Sequence, residues 1–223
     1  MTVDEFDVQF DILYNNLASN AAAPLNAYEK SVFLSQAHKD TVISLYNGKN
    51  VAGISFESTE EARAYLKDYI KETTFEGDHY SEMTIILNNN DDIKNNPILF
   101  RINEYVTDDF IKSSVIPSRY DEIINLLKNP FRGPNDNRVL RVDNVDGSIT
   151  LYSKEGFDTY HLTYICKPKP IILKGIDDNS LSIDGTTITS TISNDGSIGN
   201  ASEILHSTIL KQAVALAKQA YIG

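Results

Sequence analysis

AYEKSVFLSQAHKDTVISLYN, residues 27–47, carries apolar residues on two sides at helical spacing. Tyr28, Val32, Val42, Ile43 and Tyr46 line one side; Phe33, Leu34, Ala37 and Leu45 line the other. A helix with two apolar sides is packed on both. Its second partner is either another helix of this chain or a neighbouring subunit. The stretch ends at Gly48, and AAAPLN (21–26) separates it from what precedes.

Outward from this helix, residues 3–17 place Val3, Phe6, Phe10, Leu13, Tyr14 and Leu17 on one helical face, with Asp4, Glu5 and Asp7 near the positive end of the helix dipole. Residues 58–72 predict a third helix, capped by Ser58 with Glu61 and striped by Ala62, Tyr65, Leu66, Tyr69 and Ile70. The period then changes. SEMTIIL (81–87) and PILFRINEYV (97–106) read as strands around a polar surface loop, NNNDDIKNN. RYDEIINLLKN (119–129) is a short helix stopped by Pro130. RVLRVDN and SITLYSK form a hairpin across Val145-Asp146-Gly147, DTYHLTYIC (158–166) is a further strand, and the prolines hold KPKPIILK (167–174) extended. LSIDGTTITSTI contains a small strand pair. A last helix at 201–221, with Asn200 and Glu203 as its cap, aligns Leu205, Ile209, Ala213, Leu216 and Ala220.

The fold class expected is therefore α+β: a helical bundle formed by the N-terminal helices (1–73) and the C-terminal helix (201–223), with a β-rich insertion (74–200) between them. At 223 residues the chain is long enough for a substantial core. Its 41% apolar and 23% charged residues are ordinary for a soluble globular protein. No apolar run approaches membrane-spanning length, and the acidic N-terminus lacks the pattern of a signal peptide. No membrane association and a cytoplasmic site of synthesis are expected. A net charge of −11 disfavours general duplex binding yet suits a wall that DNA slides past.

Chemistry is not where the unusual residues sit. Cys166 is the single cysteine, so no intrachain disulfide can form, and it reads as a buried thiol. His38, His79, His161 and His206 are scattered and lack metal-ligand spacing. Asp91-Asp92, Asp108-Asp109 and Asp177-Asp178 are adjacent pairs, which point apart on a strand and read as solvated loop charge. No phosphate loop, nucleophile elbow or dinucleotide fingerprint is present. No catalytic residue, cofactor or metal is expected.

The unusual residues are those of NPFRGPNDNRVLRV (129–142), of KPKP, and of the small-residue last helix. Two prolines stiffen the loop, and a stiff loop loses little entropy when it docks. Phe131 and Arg132 are anchor-type residues, and Arg119, Arg138 and Arg141 add forks suited to carboxylates. Two readings stand. The arginines staple this chain to another copy head to tail, or Phe131 fills the chain's own core and the arginines bind its own Asp121, Glu122 or Asp143.

LNAYEKSVFLSQAHKDTVISLYNG, YDEIINLLKNPFRGPNDNRVLRV, YHLTYICKPKPIIL and SEILHSTILKQAVALAKQAYIG together resemble the head–tail connector (neck, ring or adaptor) proteins of crAss-like Bacteroides phages. More distantly, the chain is similar to the tail-tube adaptor of short-tailed phages. The resemblance implies a non-catalytic virion protein at the head–tail junction, assembled in the host cytoplasm. It implies a ring, commonly of twelve copies, that contacts the portal, a neighbouring ring or the tail, with genomic DNA passing through its lumen. The C-terminal AKQAYIG and the 129–138 loop are then the candidate reaching segments. The candidate interface residues are Arg119, Phe131, Arg132, Arg138, Arg141, Lys167, Lys169, Lys218 and Tyr221. The alternatives are a phage virion enzyme using paired carboxylates and a monomeric protein-binding module.

Overall fold

Phe6, Phe10 and Tyr14 recur at four-residue intervals, and all three are buried on one face of the first helix, α1 (Val3–Leu17). The computed structural model describes residues 1–223 except 18–23, 51–52, 78, 110, 177–180 and 223; the Asp177-Asp178 pair and the first half of the AAAPLN break lie outside the described residues. α2 (Ala27–Asn47) follows, opened by a reciprocal Asn26–Glu29 capping box and closed by left-handed Gly48. Then come α3 (Glu60–Leu66), β1 (Ile70–Glu76), β2 (Glu82–Ile85), α4 (Asp91–Asn95), β3 (Ile98–Asp108), β4 (Ile111–Pro117), α5 (Ile123–Leu127), β5 (Arg138–Asp143), β6 (Ile149–Tyr152), β7 (Thr159–Cys166), β8 (Ser182–Ile183), β9 (Thr186–Thr187), α6 (Ser190–Asp195) and α7 (His206–Ile222). The fold is mixed α+β. Among the described residues no helix is long and apolar enough to cross a membrane.

The chain forms two compact units, one of residues 1–69 with 168–223 and one of residues 70–167. The segment 168–200, grouped by its polarity with the β-rich insertion, thus belongs to the helical unit. The reason lies on α2. Ser31, Ser35 and His38 are buried at i, i+4 and i+7, on the side of the helix facing the extended chain. Ser35 Oγ donates to the Ile171 carbonyl (3.1 Å) and accepts from the Ile171 N–H (3.0 Å). Ser31 Oγ accepts from the Leu173 N–H at 2.9 Å, and His38 Nδ1 donates to the Lys169 carbonyl at 3.1 Å. Alternate residues of an extended chain match one helical stripe, so 169, 171 and 173 run antiparallel along α2. Of the intervening residues, Pro170 has no N–H to satisfy and the Ile172 N–H donates to the Ser197 carbonyl at 2.7 Å.

His38 Nε2 accepts from the Tyr69 hydroxyl at 2.7 Å, and that hydroxyl accepts from the Ser202 N–H at 3.3 Å. Burial lowers the His38 pKa to about 4, so the ring is neutral in this network. Lys30 joins α1 to α2 through Asp7 (2.8 Å) and Asp11 (2.7 Å); burial opposes its charge, but the two carboxylates prevail and raise its pKa. Thr41 donates to Gln212 of α7 at 2.9 Å.

In the second unit the seven strands follow the order β1-β7-β3-β4-β5-β6-β2, with β4 and β5 parallel and the other pairs antiparallel. The β5–β6 hairpin turns over Asn144–Gly147, as the Asp-Gly pair predicts. Several expectations are corrected. The third helix stops at Leu66 and Ile70–Glu76 is a strand, because these residues pair in register with Thr159–Ile165 of β7. Thr59, not Ser58, caps α3 through the Ala62 N–H. NNNDDIKNN contains α4, capped by Asn90 and held by buried Ile93. The helix of 119–129 is regular only over Ile123–Leu127, and part of the second LSIDGTTITSTI strand is α6. Asn200 accepts from the Lys169 N–H at 2.7 Å instead of capping the last helix. On α7 the buried stripe continues through Val214 and Ala217, while Ala220 is exposed.

Candidate functional site

The segment around α5 has two faces. Ile123 is buried against Leu140 and Val142, with Leu126 and Tyr152 beside it. In and around α5, Tyr120, Ile124, Leu127 and Phe131 are exposed. Phe131 is the most open of them, at 87%. Exposed apolar residues scattered singly are ordinary; four within twelve residues are less so.

The loop after α5 is built to hold Phe131 out. Asn129 Oδ1 accepts from the N–H groups of Phe131 (2.9 Å) and Arg132 (3.1 Å). Arg138 donates to the Phe131 carbonyl at 2.8 Å and the Gly133 carbonyl at 2.9 Å. Gly133 packs so tightly over the preceding turn that a Cβ there would sit 2.8 Å from the Asn129 carbonyl oxygen. The loop is a pre-formed prong whose tip is Phe131 and Arg132.

The arginines therefore divide. Arg138 shapes the prong. Arg119 pairs at the surface with Asp121 (3.3 Å) and Glu122 (3.8 Å). Arg141 is withdrawn from the surface: its side chain is 7% exposed, because its position on β5 points it into the sheet unit against Glu104, with Asp143 at 3.0 Å. Arg101 reaches the other Asp143 oxygen at 2.6 Å, and the Tyr160 hydroxyl donates to Glu104 at 2.6 Å. Burial and the Glu104 charge push the Tyr160 pKa far up; burial opposes charge on Arg141 and Asp143, but their ion pairs prevail, raising the guanidinium and lowering the carboxyl. Arg132 is exposed. Its guanidinium has no hydrogen-bond or ionic partner among the described residues, so of the loop arginines it is the one available for docking.

The other candidates are dispersed. The Lys169 side chain is exposed while both its backbone groups are held; the Lys167 N–H donates to the Pro97 carbonyl at 2.7 Å. Lys218 is half-buried on α7. Tyr221 donates to Glu29 at 3.0 Å and stands edge-on to Phe33, which ties this end of α7 to α2.

His79, Asp108 and Asp158 form a small acidic grouping. His79 Nε2 lies 2.9 Å from Asp158, whose other oxygen accepts from the Asp109 N–H, so the three sit together at a surface turn. Cys166 is buried at the end of β7. His161 stacks on Tyr105 at 4.4 Å, and His206 donates to the Ala201 carbonyl.

The geometry thus defines a protein whose most developed surface feature is a rigid apolar prong. The chain belongs to the phage tail ring protein 3/4 family, which matches residues 1–222. It is 34% identical to Ring protein 3 of Bacteroides phage crAss001, over 97% of this chain and 95% of that protein. To Ring protein 4/5 of the same phage it is 30% identical, over 100% of this chain and 94% of the relative. The resemblance to ring proteins of crAss-like phages is therefore confirmed.

Proposed function

We propose that the protein is a virion structural subunit, without catalytic activity, that forms a homo-oligomeric ring in the head–tail connector between portal and tail. Twelve copies surround a lumen through which genomic DNA passes. The observation that carries this reading is the match of nearly the whole chain to two ring proteins of one phage. The net charge of −11 supports it, because an acidic wall holds nothing that slides past. The exposed prong supports assembly with other subunits.

Cross-linking mass spectrometry of purified virions tests the reading. Links between copies of this chain, together with links to portal or to tail and neighbouring ring proteins, are expected. A chain missing from virions, or present with no self-link, refutes it.

A further inference from the structure

We propose that the open edge of β1 accepts an added β-strand from another protein, an extended segment with Lys or Arg at alternate positions. β1 is an outermost strand of the sheet and pairs with β7 alone. Its seven residues keep unbroken register with Thr159–Ile165, without the proline or bulge that commonly blunts an edge. The Gly77 N–H donates to the Asp158 carbonyl at 2.7 Å. Alternating back from Gly77, Phe75 and Thr73 turn their backbone groups to β7, and Glu76, Thr74 and Glu72 turn theirs outward. These last three residues are exposed, and their N–H and C=O groups take no hydrogen bond among the described residues. The opposite edge, β2, has only four residues.

There is room at this edge. Glu72, Thr73 and Thr74 all border a cleft of about 470 Å³, together with Asn90 and Asp92 at the start of α4. Successive residues of a strand face opposite sides of the sheet, so a cleft that meets three in a row wraps the edge itself. Charge selects the occupant. Glu72 and Asp92 line the cleft, and no Lys or Arg does. Glu72 and Glu76 share the solvent face of β1, whereas Lys71 falls on its other face. Lys112 stands over the Tyr105 ring on β4, with β7 and β3 between it and β1. A second copy fits poorly. In an antiparallel pairing of β1 with itself centred on Thr74, Glu72 stands opposite Glu76 of the second copy, and pairing with β2 brings exposed Glu82 to the same edge. Like charges directly opposite are destabilising. A strand with Lys or Arg at alternate positions meets both glutamates with opposite charge, while its backbone bonds the outward groups of β1.

The test uses the purified chain and a heptapeptide alternating lysine and valine, followed by amide hydrogen exchange resolved to single residues, and it does not depend on the ring reading. The expected result is saturable slowing of exchange at Glu72, Thr74 and Glu76, by about tenfold or more. A glutamate–valine peptide, and a lysine–valine peptide methylated on its lysine backbone nitrogens, should leave these amides unchanged. Slowing by the glutamate peptide overturns the basic occupant, and slowing by the methylated peptide overturns strand addition. No slowing by any peptide, or slowing only away from β1, overturns the proposal as a whole. Thr74→Pro removes one outward N–H and spares the ladder to β7, so it should keep the urea midpoint and lose the slowing at Glu72 and Glu76. Retained slowing in that variant counts against the edge. If Thr74→Pro lowers the midpoint, Glu72→Gln with Glu76→Gln decides: the lysine peptide should bind severalfold more weakly, and unchanged binding overturns the charge pairing. If the purified chain self-associates and Thr74→Pro abolishes this, the occupant is a second copy and the foreign strand is overturned.

Discussion

In the helical unit, buried polar side chains are mostly neutral: Ser31, Ser35, His38 and Thr41, with Lys30 the paired exception. The sheet unit also buries neutral serines and threonines, but it adds a buried ionic pair, Arg141 with Glu104, with the more exposed Asp143 at its edge. The neutral groups stitch an extended segment, 169–173, onto a helix whose surface has no ladder of its own to offer. The ionic group joins β3 to β5, two strands that are not neighbours in the sheet. In the helical unit the buried side chains chiefly place backbone; the sheet unit adds a charge pair that ties side chains across a strand. Their responses to mutation and to pH should therefore differ.

The largest expected effect is Arg141→Met. It leaves the Glu104 carboxylate buried, with the Tyr160 hydroxyl and a more distant Arg101 as its partners, and breaking such a pair costs about 3–5 kcal/mol. Urea unfolding followed by circular dichroism should show that loss. The double variant Arg141→Met with Glu104→Leu should recover much of it, because the uncompensated charge is gone. Equal losses in single and double variants would mean that packing rather than charge holds the site.

The next effect is pH dependence in the helical unit. The folded pKa of His38, about 4, lies below its unfolded value, so the unfolded chain binds the extra proton between these values. This contribution is fully present above pH 6.5 and is lost as pH falls towards 4, by roughly 3 kcal/mol at the lower end. His206, lowered by burial, acts in the same direction; His161 gives the sheet unit a smaller slope because it is more exposed. Asp143, held below the ordinary carboxylate range by Arg101 and Arg141, loses its contribution only under more acidic conditions. Unfolding at pH 7 and pH 4.5 should separate the two, and His38→Gln should flatten the slope between them. An unchanged slope in that variant would assign the effect elsewhere.

Ser35→Ala comes third. It strips both the N–H and the carbonyl of Ile171 of their buried partner, a cost of about 1–3 kcal/mol. Ser193→Ala, which removes a single hydroxyl bond to the Ile176 carbonyl at 2.7 Å, should cost less. Comparable losses from the two would deny the stitch its special place.

The legible parts of this fold are those set by local pattern. The stripe of α1, the span of α2, the Asp-Gly hairpin and the extended KPKP segment all follow from neighbours within a few residues. What was not legible depends on distant partners. Ile70–Glu76 becomes a strand only beside β7, and IKSSVIP becomes β4 only between β3 and β5. α4 is too short for its periodicity to show. The polar stripe Ser31, Ser35 and His38 was visible at i, i+4, i+7, but its partner lies more than a hundred residues on. In the prong, the stiff loop could be read directly, whereas the sequence left Phe131 open between an exposed anchor and a core residue. The fate of each arginine could not be read either, since Glu104 lies 37 residues from Arg141.

The smallest expected effect on stability is the one that best separates fold from assembly. Phe131→Ser removes a side chain that is 87% exposed, so the free chain should keep its stability to within about 0.5 kcal/mol. Ile123→Ala, eight residues away on the buried side of the same stretch, should cost about 2–5 kcal/mol. Urea midpoints measure both. If Phe131→Ser leaves the midpoint in place and incorporation into virions falls, the prong tip serves contact and the buried side of α5 serves the core. If Phe131→Ser destabilises the isolated chain as Ile123→Ala does, the prong folds back onto its own subunit in solution, and its tip is part of the core after all.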